Sequence, residues 1–297
     1  MSHTVAVTGA TGHVGAPLVR ALREKGVAVR AIGRHLDRLN ALAPGVDSRV
    51  AALDDVPALT KALEGADVVY ALIPPSYGET DFRGYQRRLG DSIARAVEAA
   101  GVPRALTLSS LGADVESGTG PIAGLRDLEK RLEAVPRLNV LHLRPTYFME
   151  NELNSIALIK TAGISGSAIK ADHAFPLVAT RDIAAAAAEI LVDPTFTGHS
   201  FRELLGPRDY TPRQLTGIIG AAIGRPDLPH VEFAYEDTLK ALVGAGISAD
   251  LARLFVEMYE AFNEGRVRSL QGRGPASTTP TTFETFAREV FVPAYRS

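Results

Sequence analysis

Along the first half of the chain, short β-branched runs alternate with longer stretches rich in Ala and Leu, so the hydrophobic period switches repeatedly between two and 3.6. That alternation predicts repeated strand–helix units and a parallel sheet. Strands are expected over residues 5–7, 27–32, 51–53, 67–73, 105–109 and 138–143, and helices over 16–25, 37–42, 56–63, 85–100 and 124–134. Gly26 and Gly101 close two of these helices, and Pro74 with Pro75 stops the fourth strand. Six such strands within about 145 residues match the count of a doubly wound, Rossmann-type α/β fold. After Pro145 the pattern loosens into a polar, Gly-rich excursion over 161–172, then a strand over 175–179 and an Ala-rich helix over 182–191. A further edge strand is expected over 201–205. From Thr211 onward the pattern is mostly helical, over 212–223, 235–243, 249–264 and 282–291.

Composition narrows the function classes. The 297 residues carry 32 Lys and Arg against 34 Asp and Glu, a formal charge of −2, so no basic field draws in nucleic acid. The absence of cysteine removes disulfides, thiolate metal sites and thiol nucleophiles. The seven histidines are scattered singly, so no metal site is expected. Residues 1–7 show no basic flank followed by an apolar stretch, and nowhere do about 18 apolar residues run together. The expected location is therefore cytoplasmic, with no membrane partner.

The chemistry starts at the end of the first strand. Gly9, Thr11, Gly12, His13, Val14 and Gly15 form a turn that follows a strand directly and opens a helix. Gly9 permits the tight turn, Gly12 lets the backbone approach a pyrophosphate, and Gly15 allows close helix–strand packing. The helix N-terminus adds free N–H groups and a positive dipole end. A dinucleotide site is the reading these features support, against a Gly-rich turn that binds nothing. The stretch Val7 to Gly15, together with Leu143, Arg144, Pro145, Thr146, Tyr147, Phe148, Met149, Glu150 and Asn151, resembles the NmrA-like, atypical branch of the short-chain dehydrogenase/reductase superfamily. That branch includes NADPH:quinone reductases, isoflavone-type reductases and redox-sensing regulators.

An NAD-binding fold usually ends its second strand on an acidic residue that holds the ribose hydroxyls. Here no acid occurs from Lys25 to Leu36, and Arg34 stands at that position, which selects NADP(H) through a guanidinium clamp on the 2′-phosphate. Arg38 lies one helical turn later and is either part of the same clamp or a solvated cation. The resemblance implies that Asp54 meets the adenine amino group with Leu53 beside it, unless Asp54 simply caps the next helix, and that Ile73 and Pro74 line the adenine-ribose side. Ser109 and Ser110 end the fifth strand, at the crevice where nicotinamide is expected.

Catalysis is less defined. The usual reductase of this superfamily uses a Tyr with a Lys four residues on, and no tyrosine here has that partner. Isoflavone-type relatives carry a lysine near the start of the helix after the fifth strand, where Leu125 stands in this chain. Lys130, on the same helix, reads as a surface residue. The catalytic residue stays open, with Tyr147, Ser110 and Tyr77 as candidates. Ser110, Tyr147, Phe148, Met149 and Asn151 are expected around the substrate, with core packing as the alternative for Phe148 and Met149. Residues 1–150 are expected to form the NADP-binding domain and 151–297 a smaller, mostly helical substrate-binding region, with the strand and helix near 174–198 returning to the first. Helix 249–264 has the apolar spacing of a core helix, a pocket lid or a homodimer face. The favoured function is an NAD(P)H-dependent oxidoreductase passing a hydride to a quinone-like or conjugated small molecule. The alternative is a catalytically silent NADP(H)-sensing regulatory protein, and a third is a specialised biosynthetic reductase, isomerase or cyclase.

Overall fold

A computed structural model describes residues 3–297. The first part runs β1 (Thr4–Val7), α1 (Gly15–Glu24), β2 (Ala28–Gly33), α2 (Leu36–Asn40), β3 (Asp47–Val50), α3 (Val56–Leu63), β4 (Val68–Ala71), α4 (Phe82–Ala100), β5 (Arg104–Leu108), α5 (Ile122–Glu133) and β6 (Asn139–Pro145). Then follow β7 (Tyr147–Phe148), a 3-10 stretch (Met149–Asn154), α6 (Ser155–Ala162), β8 (Ser165–Ser167), β9 (Phe175–Val178), α7 (Thr180–Val192), β10 (His199–Leu204) and β11 (Asp209–Tyr210). The chain closes with α8 (Pro212–Ala222), β12 (His230–Glu232), α9 (Tyr235–Gly244), α10 (Ala249–Asn263), α11 (Phe283–Phe286), a π-helical turn (Ala287–Phe291) and α12 (Val292–Arg296). Among the described residues no helix is long and apolar enough to cross a membrane.

Seven parallel strands form one sheet in the order β3-β2-β1-β4-β5-β6-β10, with β10 as the expected edge. The order reverses between β1 and β4, so the loops leaving β1, β2, β4 and β5 border one crevice at the strand carboxyl ends. On one face Leu18, Val19 and Leu22 of α1 meet Ala184, Ala187 and Ala188 of α7, whose small side chains let the helix lie close. On the other face Leu59, Ile93, Val97, Leu128 and Leu132 bring α3, α4 and α5 onto the sheet. A third core gathers Phe175, Tyr210, Leu215, Phe283, Phe286 and Phe291 from the later elements.

Several expectations are corrected. The third strand lies at Asp47–Val50 and not at 51–53, because it is the outer edge, largely solvent-facing and polar, while Ala51 and Leu53 are packed in the turn behind it. The strand near 175 pairs with β7 and β11 in a small separate sheet, whereas the helix that follows it does lie on the main sheet. The stretch 155–162, where no element was foreseen, is helical, and the excursion over 161–172 carries β8, which pairs with β12. The last expected helix is broken by a π-helical turn before α12.

Two carboxylates, the buried Glu129 and the half-buried Glu150, tie these layers together. Glu129 on α5 takes both arms of Arg144 at 2.9 and 2.6 Å, and the guanidinium lies 4.1 Å above the Phe201 ring of β10. Glu150 accepts from the Thr180 amide at 3.0 Å and the Thr180 hydroxyl at 2.6 Å, fixing the first turn of α7 from 30 residues away.

Candidate active site

The glycine turn is built for close approach by a ligand. Gly9 takes φ +60°, a conformation few other residues adopt, and a Cβ at Gly15 would stand 2.2 Å from the Gly9 carbonyl oxygen. The Gly12 amide donates back to that oxygen at 2.9 Å. The amides of Thr11, His13 and Val14 bond to nothing among the described residues, and α1 starts with no side-chain cap. Free N–H groups at the positive end of a helix form an anion site.

The end of β2 supplies cations to the same crevice. Asp47 engages Arg30 and Arg49, each at 2.8 Å, whereas Arg34 and Arg38 are exposed and pair with no acid among the described residues. Asp55, and not Asp54, caps α3, accepting from the Ala58 amide at 3.0 Å, so the Asp54 carboxylate is exposed and uncommitted. Tyr85 of α4 donates to the Pro74 carbonyl at 3.0 Å. Burial pushes its hydroxyl up, Glu79 adds to this, and Arg34 and Asp54 pull in opposite directions, which sets Arg34, Asp54 and Tyr85 around one corner. Leu53 and Ile73 are partly buried against the sheet beneath it.

At the end of β5, Ser109 is buried with its hydroxyl unpartnered among the described residues, while its amide donates to the Leu143 carbonyl at 2.7 Å. A buried hydroxyl with no partner is costly unless something arrives to satisfy it. Ser110 is different, since its hydroxyl already donates to the Leu111 carbonyl at 2.9 Å.

The segment after Pro145 divides between two faces. Phe148 is half-buried against the main core and Met149 is fully buried in the third, the core packing that stood as the alternative for both. A two-residue strand sends neighbouring side chains to opposite sides, and the 3-10 turn then buries the next one. Tyr147 packs edge-on against Phe175 at 5.4 Å and Phe262 at 6.3 Å, and Asn151 is exposed. Tyr77 is 55% exposed on a loop held by a bond from the Ser248 amide to its own carbonyl at 2.8 Å. Leu125 is half-buried on α5, and Lys130 is exposed and pairs with Glu133 at 2.7 Å.

Sequence reasoning missed Glu152, Tyr259 and His230. Tyr147, Glu152 and His230 line one small cavity, and Tyr259 stands close to the Glu152 carboxyl. Their separation along the chain gives no local signal, and the only hint was an acid next to Asn151 in an apolar segment.

A profile described as the NmrA-like family matches residues 1–287. A (4-alkanoyl-5-oxo-2,5-dihydrofuran-3-yl)methyl phosphate reductase of Streptomyces griseus is 31% identical over 288 residues, covering 96% of this chain and 93% of the relative. Prestalk A differentiation protein A of Dictyostelium discoideum is 27% identical over 298 residues, covering 97% and 92%. Among solved structures, an NADPH-dependent quinone oxidoreductase of Escherichia coli complexed with NADPH superimposes with a TM-score of 0.82 at 26% identity, covering 97% of this chain and 99% of that one.

Proposed function

The chain belongs to the NmrA-like family, and from that premise we propose that it is an NADPH-dependent reductase acting on a quinone-like or otherwise conjugated small molecule. The observation that carries the reading is the cradle at the strand ends: unpartnered amides at Thr11, His13 and Val14 beside the uncommitted Arg34 and the orphaned Ser109 hydroxyl. Those groups fit NADP(H). The turn amides hold the pyrophosphate, Arg34 with Arg38 grips the 2′-phosphate, Asp54 takes the adenine amino group, and Ser109 faces the nicotinamide end. When bound, the nicotinamide supplies a hydride.

In this reading residues 1–150 hold the nucleotide and 151–297 shape the acceptor site, with Tyr147 and Asn151 closest to the chemistry, and the protein works in the cytoplasm. The reductase relative at 31% identity and the NADPH-bound oxidoreductase structure support it. The test is a titration with NADPH and NADH, followed by stopped-flow records of NADPH absorbance with a panel of quinones and conjugated ketones. Consumption of NADPH with any acceptor is the expected result. Tight NADPH binding with no consumption across the panel overturns the reductase reading in favour of NADP(H) sensing.

A further inference from the structure

The cavity beneath Tyr147 has room for roughly a single water molecule, too little for a substrate. Its polar walls come from separate elements: Tyr147 from β7, Glu152 from the 3-10 stretch, Thr216 from α8 and His230 from β12. No cation pairs with Glu152 among the described residues, and it shares the wall of this cavity with Tyr147. Tyr259 approaches the same carboxyl from α10, its own hydroxyl pushed up to about 12 by burial and then by Glu152. Across the cavity His230 sets Nδ1 against the Thr216 hydroxyl at 2.8 Å and leaves Nε2 buried with no partner among the described residues. The charges of Arg213, Glu232 and Asp172 are felt at His230, and Arg213 and Asp172 pair with each other at 2.9 Å on the surface.

A half-buried carboxyl with no cation, two phenols beside it and an open imidazole nitrogen opposite is arranged to hold and move a proton. We propose that Glu152 is the proton store for the reduction, passing its proton to the acceptor through the Tyr147 hydroxyl and regaining it from solvent through a cavity water at His230. This rests on the reductase reading above. A quinone that has taken a hydride is a hydroquinone anion. Its oxygen takes the Tyr147 proton, the phenolate oxygen takes the Glu152 proton, and the carboxylate is refilled by way of the water at Nε2. The sum is NADPH, quinone and one proton going to NADP+ and hydroquinone. Tyr147 touches the acceptor and Glu152 acts through it. Burial pushes the Glu152 carboxyl up to about 7, offset in part by the neighbouring Tyr147 hydroxyl, so the store is full below neutrality and empties as pH rises.

The test compares menadione with crystal violet under NADPH. A triarylmethane cation becomes neutral on taking a hydride and needs no proton, so the ratio of the two turnover rates isolates proton delivery. In the wild-type protein, menadione turnover should fall as pH rises through about 7, with no matching fall for the dye. Glu152→Gln should lower the menadione-to-dye ratio roughly a hundredfold and remove that pH limb, and Tyr147→Phe should lower the ratio similarly. Both variants keeping the wild-type ratio and pH profile overturns the proposal. Infrared titration gives a readout apart from turnover: a carboxylic C=O band absent from Glu152→Gln should fade in the wild-type protein as pH rises through about 7. A Glu152 already ionised at pH 5 also overturns it. Failure of the reductase reading shows in the wild-type protein as no oxidation of NADPH with either acceptor, whereas failure of this inference shows only against the variants and in the infrared record.

Discussion

Arg34 and Arg30 stand four residues apart and have different surroundings. Arg30 is held by Asp47 and by the Ala62 and Glu64 carbonyls, so its charge is spent within the fold. Arg34 has no such partner among the described residues, and its charge, like that of the uncommitted Asp54, is felt at Tyr85. Removing it should therefore cost the fold little and the nucleotide much. Arg34→Ala is expected to weaken NADPH by roughly 2–3 kcal/mol, the loss of a strong charge-assisted pair, while leaving NADH nearly unchanged. Isothermal titration with both nucleotides checks this, and equal weakening of the two would remove Arg34 from the 2′-phosphate clamp.

Between elements, the tie that carries most is the one from α5 to β6 and β10. Glu129 is 1% exposed and Arg144 is 8% exposed, so the pair sits out of water with both charges matched. Arg144→Met leaves the Glu129 carboxylate buried without its cation and is expected to cost about 3–5 kcal/mol. Adding Glu129→Leu removes the stranded charge, and the double variant should recover most of that loss. Urea unfolding of the two single variants and the double variant measures the coupling, and additive losses would mean that the pair acts through packing on Phe201 alone. The Arg and Pro of this segment thus anchor the end of the sheet from which Tyr147 departs.

For the whole molecule, pH sets stability through two groups of opposite sign, the buried His142 and the half-buried Glu152. His142 accepts or donates at Thr107 through Nδ1 at 2.7 Å, and burial pushes its pKa down, with Glu129 and Glu133 offsetting part of the effect. The folded state keeps it neutral while the unfolded histidine takes a proton below about 6.5. Stability from this group is therefore flat above that value and falls as pH drops beneath it. Glu152 works the other way, since its folded carboxyl holds a proton up to about 7 and the unfolded one loses it above about 4.3. Its contribution falls as pH rises between those values. Urea midpoints from pH 5 to pH 8 should then show a shallower acid decline in His142→Gln and a steeper one in Glu152→Gln. Unchanged slopes in both variants would show that neither group titrates differently on folding.

What the sequence determined alone is what depends on near neighbours. Period-two and period-3.6 runs specify which segments become strands and helices, because each element must bury one face. The spacing of Gly9, Gly12 and Gly15 behind a strand specifies an anion turn, since glycine adopts φ +60° without strain at the first and alone permits a 2.2 Å approach at the last. The missing acid after β2 and the absent Tyr–Lys dyad were legible for the same reason. Edge strand β3 was misplaced because a solvent-facing edge carries little hydrophobic signal. Met149 and Phe148 stayed open between pocket wall and core because apolar character does not say which of two faces a side chain will join. Tertiary structure decided those faces, and it decided that Asp55 caps α3 and leaves Asp54 free. It also brought Tyr147, Glu152 and His230 to one cavity across 83 residues of chain. The physical reason is that a carboxyl's proton affinity is set by desolvation and by charges that arrive from other elements, and no local pattern records what the fold will place beside it.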